Sequence, residues 1–151
     1  MWFSRKQDAK DAKPAAAQAP TGQITTKGRG DAAEAAAQQF LMSQGLRPIT
    51  TNFRTPGRGG GEIDLVMQSR DGTLVFVEVR QRSSTSHGGA GASISQTKQR
   101  RIVLAATHYL MRYASPPPCR FDVVTVEGAL TGSAPPQVQW LQGAFDASGR
   151  I

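Results

Sequence analysis

Cysteine and histidine are scarce in this chain of 151 residues, which contains one cysteine, Cys119, and two histidines, His87 and His108. A single thiol excludes a disulfide within the chain and a zinc site built from cysteines. Two histidines are also too few for a structural metal cage of the usual tetrahedral kind. The sequence therefore gives no support to a fold stabilised by zinc or by disulfides.

Long apolar runs are missing as well. No segment approaches the length of a membrane span, and the N-terminal stretch MWFSRKQDAK lacks the apolar region of a signal peptide. We therefore expect a cytoplasmic protein without a membrane partner.

Acidic residues are outnumbered, with 11 Asp and Glu against 18 Lys and Arg, which gives a formal net charge of +7. A basic balance favours a polyanionic partner, and nucleic acid more than a membrane surface. The alternative is a basic soluble protein that binds no polyanion.

The chain length predicts one domain. Residues 1–27 are rich in Ala, Gln, Pro and Lys and predict a disordered basic tail. We place the domain at residues 28–147 and a short C-terminal tail at residues 148–151. The first helix is expected to begin after Asp31 as N-cap, with Glu34 in capping-box spacing, and to stop at Gly45.

The remaining elements follow from local patterns. PITTNFR, GEIDLVMQ and TLVFVEVRQ have strand composition, and Asp71-Gly72 predicts a hairpin between the last two. TPGRGGG is expected to be a flexible loop. A helix over residues 94–114 then leads to the strands RFDVVTVEG and QVQWLQGAF. Because the helix is long enough for a crossover, the third and fourth strands should be parallel, giving an α/β sandwich with a mixed central sheet.

Charged side chains recur at a spacing of two in the hairpin strands. Glu62 and Asp64 should share one face, and so should Glu78 and Arg80. The hairpin register brings Asp64 nearly opposite Glu78, an arrangement that is destabilising unless a cation lies between the carboxylates. The apolar residues between them, such as Ile63 and Leu65 on the first strand, should point the other way.

Two interpretations of these charges remain open. Mg²⁺ binds through one or two carboxylates and keeps waters that a phosphate can displace, so the pair could polarise a phosphodiester and activate water. Arg80 would offset charge on the phosphate, but it cannot be a general base because a guanidinium stays protonated. Alternatively, Arg80, Arg54 or Lys98 pairs with the acids in a network of salt bridges.

The strings GEIDLV and FVEVR, joined by the hairpin, resemble the core of the restriction-endonuclease-like PD-(D/E)xK nucleases. The ordered set of blocks over residues 28–147 resembles the YraN-like family of uncharacterised bacterial proteins more closely. These blocks are G..AE..A..FL...G, N.R...GEIDLV, VFVEVR.R, K..R....A..YL, RFDVV.V and a terminal AF. The resemblance implies a restriction-endonuclease-like three-layer sandwich, with a mixed central sheet flanked by helices.

The resemblance also implies site residues. Asp64 and Glu78 match the two acidic metal ligands, the backbone carbonyl of Val79 would be a third ligand, and Glu34 matches a glutamate that holds the metal or its water. Arg80 stands where the nuclease pattern has lysine, so the chain departs from that pattern at this position.

Gln96 and Lys98 match polar or basic groups near the site of related resolvase-like nucleases, and Lys98 could supply the missing cation. The predicted catalytic residues are Glu34, Asp64, Glu78, Arg80 and Lys98. The predicted nucleic-acid contacts are Arg29, Arg54, Arg58, Arg82, Gln96, Lys98 and Arg101.

Three functions are compatible with these patterns. The first is an endonuclease dependent on Mg²⁺ or Mn²⁺ that cuts DNA, rather than RNA, with branched structures as candidate substrates. The second is a non-catalytic nucleic-acid-binding protein with a degenerate site on the same fold. The third is a scaffold whose acidic strands form ion pairs. A homodimer is compatible with the first, because two strands must be cut.

Overall fold

The computed structural model describes residues 26–82, 94–128 and 135–147, apart from the side chains of Thr26 and Arg29. The predicted N-terminal tail lies almost entirely outside these ranges, and the C-terminal tail lies wholly outside them. Neither described helix combines the length and the apolar composition that crossing a membrane requires.

Two helices and five strands make up the described fold. In chain order they are α1 (Thr26–Ser43), β1 (Arg47–Arg54), β2 (Glu62–Gln68), β3 (Leu74–Arg82), α2 (Gln96–Leu110), β4 (Cys119–Glu127) and β5 (Gln137–Phe145). The strands form one sheet in the order β1-β2-β3-β4-β5. Its neighbours are antiparallel except β3 and β4, which are parallel across the α2 crossover. The predicted element order and mixed sheet are confirmed.

Helix α1 begins at Thr26, five residues before the predicted N-cap. Asp31 lies within the helix instead, where its carboxylate is 3.0 Å from Lys27 Nζ, one turn earlier. The predicted stop is correct, because Gly45 has a φ of 102°. The Leu46 N–H then reaches back to the Leu41 carbonyl, as in a Schellman motif.

Helix α2 begins after Ser95, whose hydroxyl accepts a hydrogen bond from the Lys98 N–H at 3.1 Å. It ends at Leu110, four residues earlier than predicted, and a turn precedes the SPPP segment.

The sheet is covered on both faces, so the molecule has three layers. On one face α2 packs through Ile102, Ala105, Ala106 and Tyr109 onto residues that include Val66, Leu74, Phe76 and Val123. On the other face α1 packs through Ala33, Ala37 and Leu41 onto residues that include Leu65, Met67, Val75, Val77 and Val124. This is the predicted α/β sandwich.

The alternation of faces in β2 breaks at Asp64. Ile63 belongs to the core under α2, whereas Leu65 belongs to the core under α1, so the prediction that both share one face is wrong. The regular β2–β3 pairs end at Leu65 and Val77. Beyond this point the Asp64 carboxylate accepts the Val79 N–H at 2.8 Å, so a side chain takes the place of a ladder hydrogen bond.

Candidate active site

Two buried carboxyl groups lie side by side where β2 separates from β3. The last regular pair joins Leu65 to Val77, so the same register places Asp64 beside Glu78. Each of the two acidic residues is 8% exposed. The predicted juxtaposition follows from the Asp71-Gly72 turn, in which Gly72 has a φ of 92° and donates its N–H to the Ser69 carbonyl.

The oxygens of Glu78 are unequally satisfied. Oε2 lies 3.5 Å from Lys98 Nζ on α2. Oε1 is buried and finds no hydrogen-bond partner among the described residues. A buried acceptor without a partner is costly, and a bound cation or water is one way to satisfy it.

Burial and the adjoining Asp64 carboxylate raise the pKa of Glu78 to about 8, although Lys98 acts in the opposite direction. Burial also raises the pKa of Asp64, while the hydrogen bonds from Val79 and Glu78 lower it. The Lys98 side chain is 39% exposed, so water screens its charge and the ion pair offsets only part of the cost. Without a cation, the pair therefore favours a proton on Glu78 that is shared with Asp64.

Glu34 approaches the carboxyl pair from α1, on the face of the sheet opposite α2. It is half-buried on α1, and burial followed by the charge of Asp64 raises the pKa of its carboxyl. A side-chain hydrogen bond with Asn52 lowers that pKa. Glu34 is thus within electrostatic reach of Asp64.

Asn52 is a residue that the sequence patterns did not single out. Its φ is 52°. Among the residues that the structure describes, it is the only one other than glycine with a positive φ. Its neighbours Thr51 and Phe53 pair with Leu65 and Ile63, so Asn52 lies beside Asp64 on the edge strand. Asparagine tolerates the left-handed conformation better than most residues, which is the signal that could have drawn attention to it.

The donor set fits a hard divalent cation held by few protein ligands. No three His, Cys, Asp or Glu side chains of the described ranges converge as a metal site. Mg²⁺ nevertheless binds through one or two carboxylates and retains water, and the unsatisfied Oε1 of Glu78 beside Asp64 meets that requirement. The Val79 N–H points toward Asp64, and in a strand the carbonyl of the same residue faces the same side.

A cleft of about 380 Å³ opens next to the carboxyl pair. It is lined by Glu78, Arg80, Ile94, Ser95 and Lys98. Two of the five lining residues are cationic, so an anion placed in this cleft would lie between positive groups and beside Glu78. Arg80 and Lys98 are the residues predicted from the sequence for this role.

The other predicted contacts are more dispersed. Arg54 lies 3.8 Å from Glu62, and Arg101 Nε donates to the Gly60 carbonyl at 3.3 Å. Arg58 is exposed in the β1–β2 loop, Gln96 is exposed at the start of α2, and Arg82 is half-buried at the end of β3. The Arg29 side chain lies outside the described part of the chain.

Asp122 is a buried acid with a structural explanation. Its oxygens accept hydrogen bonds from Arg120 Nε at 3.0 and 3.2 Å, from Trp140 Nε1 at 2.9 Å and from the Gly143 N–H at 2.9 Å. These contacts hold β5 to β4 at the irregularity in their register. Asp122 is therefore fully engaged away from the carboxyl pair.

Comparison with known proteins identifies relatives along nearly the whole chain. The profile described as uncharacterised protein family UPF0102 matches residues 33–126. A UPF0102 protein of Polaromonas naphthalenivorans (strain CJ2) is 67% identical over 153 residues, covering 98% of this chain and 100% of the relative. One from Polaromonas sp. (strain JS666 / ATCC BAA-500) is 66% identical over 151 residues, with the same coverage. A third, from Albidiferax ferrireducens, is 63% identical over 123 residues, covering 82% of this chain and 91% of the relative. The chain belongs to the uncharacterised protein family UPF0102, the YraN-like family that the sequence blocks resemble.

Proposed function

We propose that this protein is an endonuclease of the cytoplasm that hydrolyses phosphodiester bonds of DNA with the help of Mg²⁺ or Mn²⁺. The observation that carries the proposal is the buried Asp64–Glu78 pair, with an unsatisfied Glu78 oxygen at the edge of a cationic cleft. Two adjoining carboxyl groups in this setting require a cation or a proton, and a cation makes them useful for phosphate chemistry.

In this proposal Asp64 and Glu78 would hold the metal through their carboxylates, with the Val79 carbonyl as a third ligand, and Glu34 would orient a water. When bound, the metal polarises the phosphate and lowers the pKa of an attacking water. The chain itself supplies the remaining electrostatics. Arg80 and Lys98 line the cleft beside Glu78 and stabilise negative charge that develops on the phosphate oxygens.

The test is incubation of the purified full chain with linear duplex, single-stranded and four-way-junction DNA, with Mg²⁺, Mn²⁺ or chelator. We expect cleavage that depends on the metal and that falls about a hundredfold or more in Asp64→Asn and Glu78→Gln. Asp71→Asn is the matched control, because Asp71 lies exposed in the turn at the opposite end of the same hairpin. Equal cleavage by all three variants would assign the activity to a contaminant or to another site.

A second candidate is a non-catalytic nucleic-acid-binding protein, and the contact between Lys98 and Glu78 favours it. A lysine 3.5 Å from the carboxylate can partly replace a metal, and Arg80 occupies the position of the nuclease lysine. Under this alternative the protein binds DNA with a strong salt dependence, cuts none of the substrates with either metal, and binds equally well in chelator.

A further inference from the structure

The loop between β1 and β2, residues 55–61, is closed at its base. The Thr55 N–H donates to the Gly61 carbonyl at 3.1 Å. In return the Gly61 N–H donates to the Thr55 hydroxyl oxygen at 2.7 Å. This reciprocal pair fixes the two ends of the loop to each other, so the prediction of a flexible glycine-rich loop does not describe its base.

The same loop is seated on helix α2. A Cβ atom added to Gly61 would lie 1.8 Å from the Arg101 carbonyl oxygen and 2.9 Å from the Ala105 nitrogen. Only glycine permits this approach of two backbones. Arg101 Nε also donates to the Gly60 carbonyl at 3.3 Å. The loop base is therefore packed tightly against α2, whose Lys98 lies one turn before Arg101 and contacts Glu78.

The tip of the loop is different from its base. Gly57 and Gly59 have φ values of 86° and 67°, and a Cβ at either position would meet nothing within 4 Å. Between them lies Arg58, which is exposed. The loop thus presents a cation on a narrow, open tip above a base anchored to α2.

Charge around the loop is predominantly positive. Arg54 enters the loop, and Lys98, Arg100 and Arg101 lie on the adjoining turns of α2. Two of these cations contact carboxylates of the described residues. Arg54 lies 3.8 Å from Glu62, and Lys98 lies 3.5 Å from Glu78. Apart from Pro56, the loop has no apolar side chain that could enter a lipid bilayer.

We propose that the 55–61 loop and the first two turns of α2 form one clamp for the sugar-phosphate backbone of nucleic acid, which directs a strand toward the Glu78 cleft. This inference rests on the nucleic-acid-binding part of the proposed function and adds the surface that does the binding. Arg58 contacts phosphate from the tip of the loop. The packing of Gly61 against α2 fixes the distance between this tip and the Glu78 cleft.

The experiment measures binding of the full chain to a labelled DNA duplex in chelator, by fluorescence anisotropy over a series of salt concentrations. Arg58→Ala should weaken binding about fivefold and reduce the slope of log K against log salt by about one. Arg47→Ala is the charge-matched control. It removes the same charge from the other end of β1, which is about 23 Å from Arg54 at the usual rise per residue of a strand. The slope should therefore stay nearly unchanged.

Gly61→Ala provides a second test, because it disturbs the packing of the loop against α2 without changing the charge of the protein. We expect it to reproduce the loss of affinity and the lower salt slope of Arg58→Ala. Gly30→Ala is its control, since a Cβ there would meet nothing within 4 Å. If Gly61→Ala fails to fold by circular dichroism, Thr55→Val replaces it, because this change removes the hydroxyl acceptor at the loop base without touching α2.

Several outcomes would overturn the clamp. These are equal effects of Arg58→Ala and Arg47→Ala, or unchanged binding by a folded Gly61→Ala or Thr55→Val. Tight binding to anionic phosphatidylserine vesicles, with none to DNA, would assign the surface to lipid instead. Cleavage is measured separately with Mg²⁺. Cutting that survives all loop variants supports the nuclease and rejects the clamp, whereas loop-dependent binding without cutting supports the clamp and rejects the nuclease.

Discussion

At the scale of single residues, Glu78 is the group whose ionisation should have the largest effect on how stability depends on pH. Its carboxyl is buried next to another carboxyl, and these two causes raise its pKa from 4.5 to about 8. In the unfolded chain the same group ionises near its ordinary pKa. The folded state therefore binds a proton more tightly than the unfolded state between these two values.

It follows that the free energy of unfolding should decrease as the pH rises from about 4.5 to about 8 in the presence of chelator, by at most roughly 5 kcal/mol from this group. Glu78→Gln should remove most of this slope and be more stable than the parent at pH 8. Urea denaturation across this pH range provides the measurement. Parallel pH profiles of the two proteins would show that Glu78 ionises normally.

Metal binding should reverse the effect. At pH 8, Mg²⁺ or Mn²⁺ in excess should raise the melting temperature of the parent chain, since a ligand that binds only the folded state stabilises it. Asp64→Asn should show no such increase, whereas the exposed turn variant Asp71→Asn should respond like the parent. An equal response in all three proteins would indicate that the metal binds elsewhere.

Arg80 is the residue at which the chain departs from the nuclease pattern. If it stabilises charge on the phosphate, Arg80→Ala should reduce cleavage about a hundredfold, whereas Arg80→Lys should retain activity within about tenfold, because the positive charge remains. Rates on one DNA substrate at saturating Mg²⁺ provide the comparison. Equal rates for Arg80→Ala and the parent would remove Arg80 from the catalytic set.

At the scale of elements, strand β1 is shaped by Asn52. A residue with φ of 52° between two paired neighbours interrupts the strand on the edge of the sheet, beside the acidic site. Glycine adopts this conformation without strain, whereas a β-branched residue does so at a cost of about 1–3 kcal/mol.

Asn52→Gly should therefore lower the free energy of unfolding by less than about 1 kcal/mol, through loss of the hydrogen bond with Glu34. Asn52→Val should lower it by roughly 1–3 kcal/mol. Urea denaturation of the two variants separates conformation from hydrogen bonding. Equal destabilisation by both would show that the side-chain contact, rather than the backbone, sets the requirement for asparagine.

At the scale of the whole molecule, the elements and the hairpin register could be predicted because their signals are local. Asp71-Gly72 fixes the turn, and the turn fixes Asp64 beside Glu78. The close packing of Gly61 against α2 could not be predicted, because it depends on contacts between segments distant in the chain. For Asn52 the residue type was a weak signal, but its place beside Asp64 depends on contacts of the same kind. The different faces of Ile63 and Leu65 were missed for the same reason, since the side chain of Asp64 replaces a backbone partner only when β3 is in place.

The Mg²⁺ ion, the DNA substrate and the homodimer stay predictions, because a shared fold does not imply a shared activity. The candidate site has more support than the acidic sequence pattern alone would give it, because folding brings Asp64, Glu78 and Lys98 together from three different elements.

The order of the strands has a consequence for how the chain folds. Each strand lies beside its neighbours in sequence, so the sheet can grow from one end as the chain leaves the ribosome. The β2–β3 hairpin can bring the two acids together before all of α2, which carries Lys98, has left the ribosome. In the nascent hairpin the two carboxylates therefore repel each other, and docking of α2 offsets part of this repulsion through Lys98. The acidic pair that marks the candidate site thus also links the folding of the two halves.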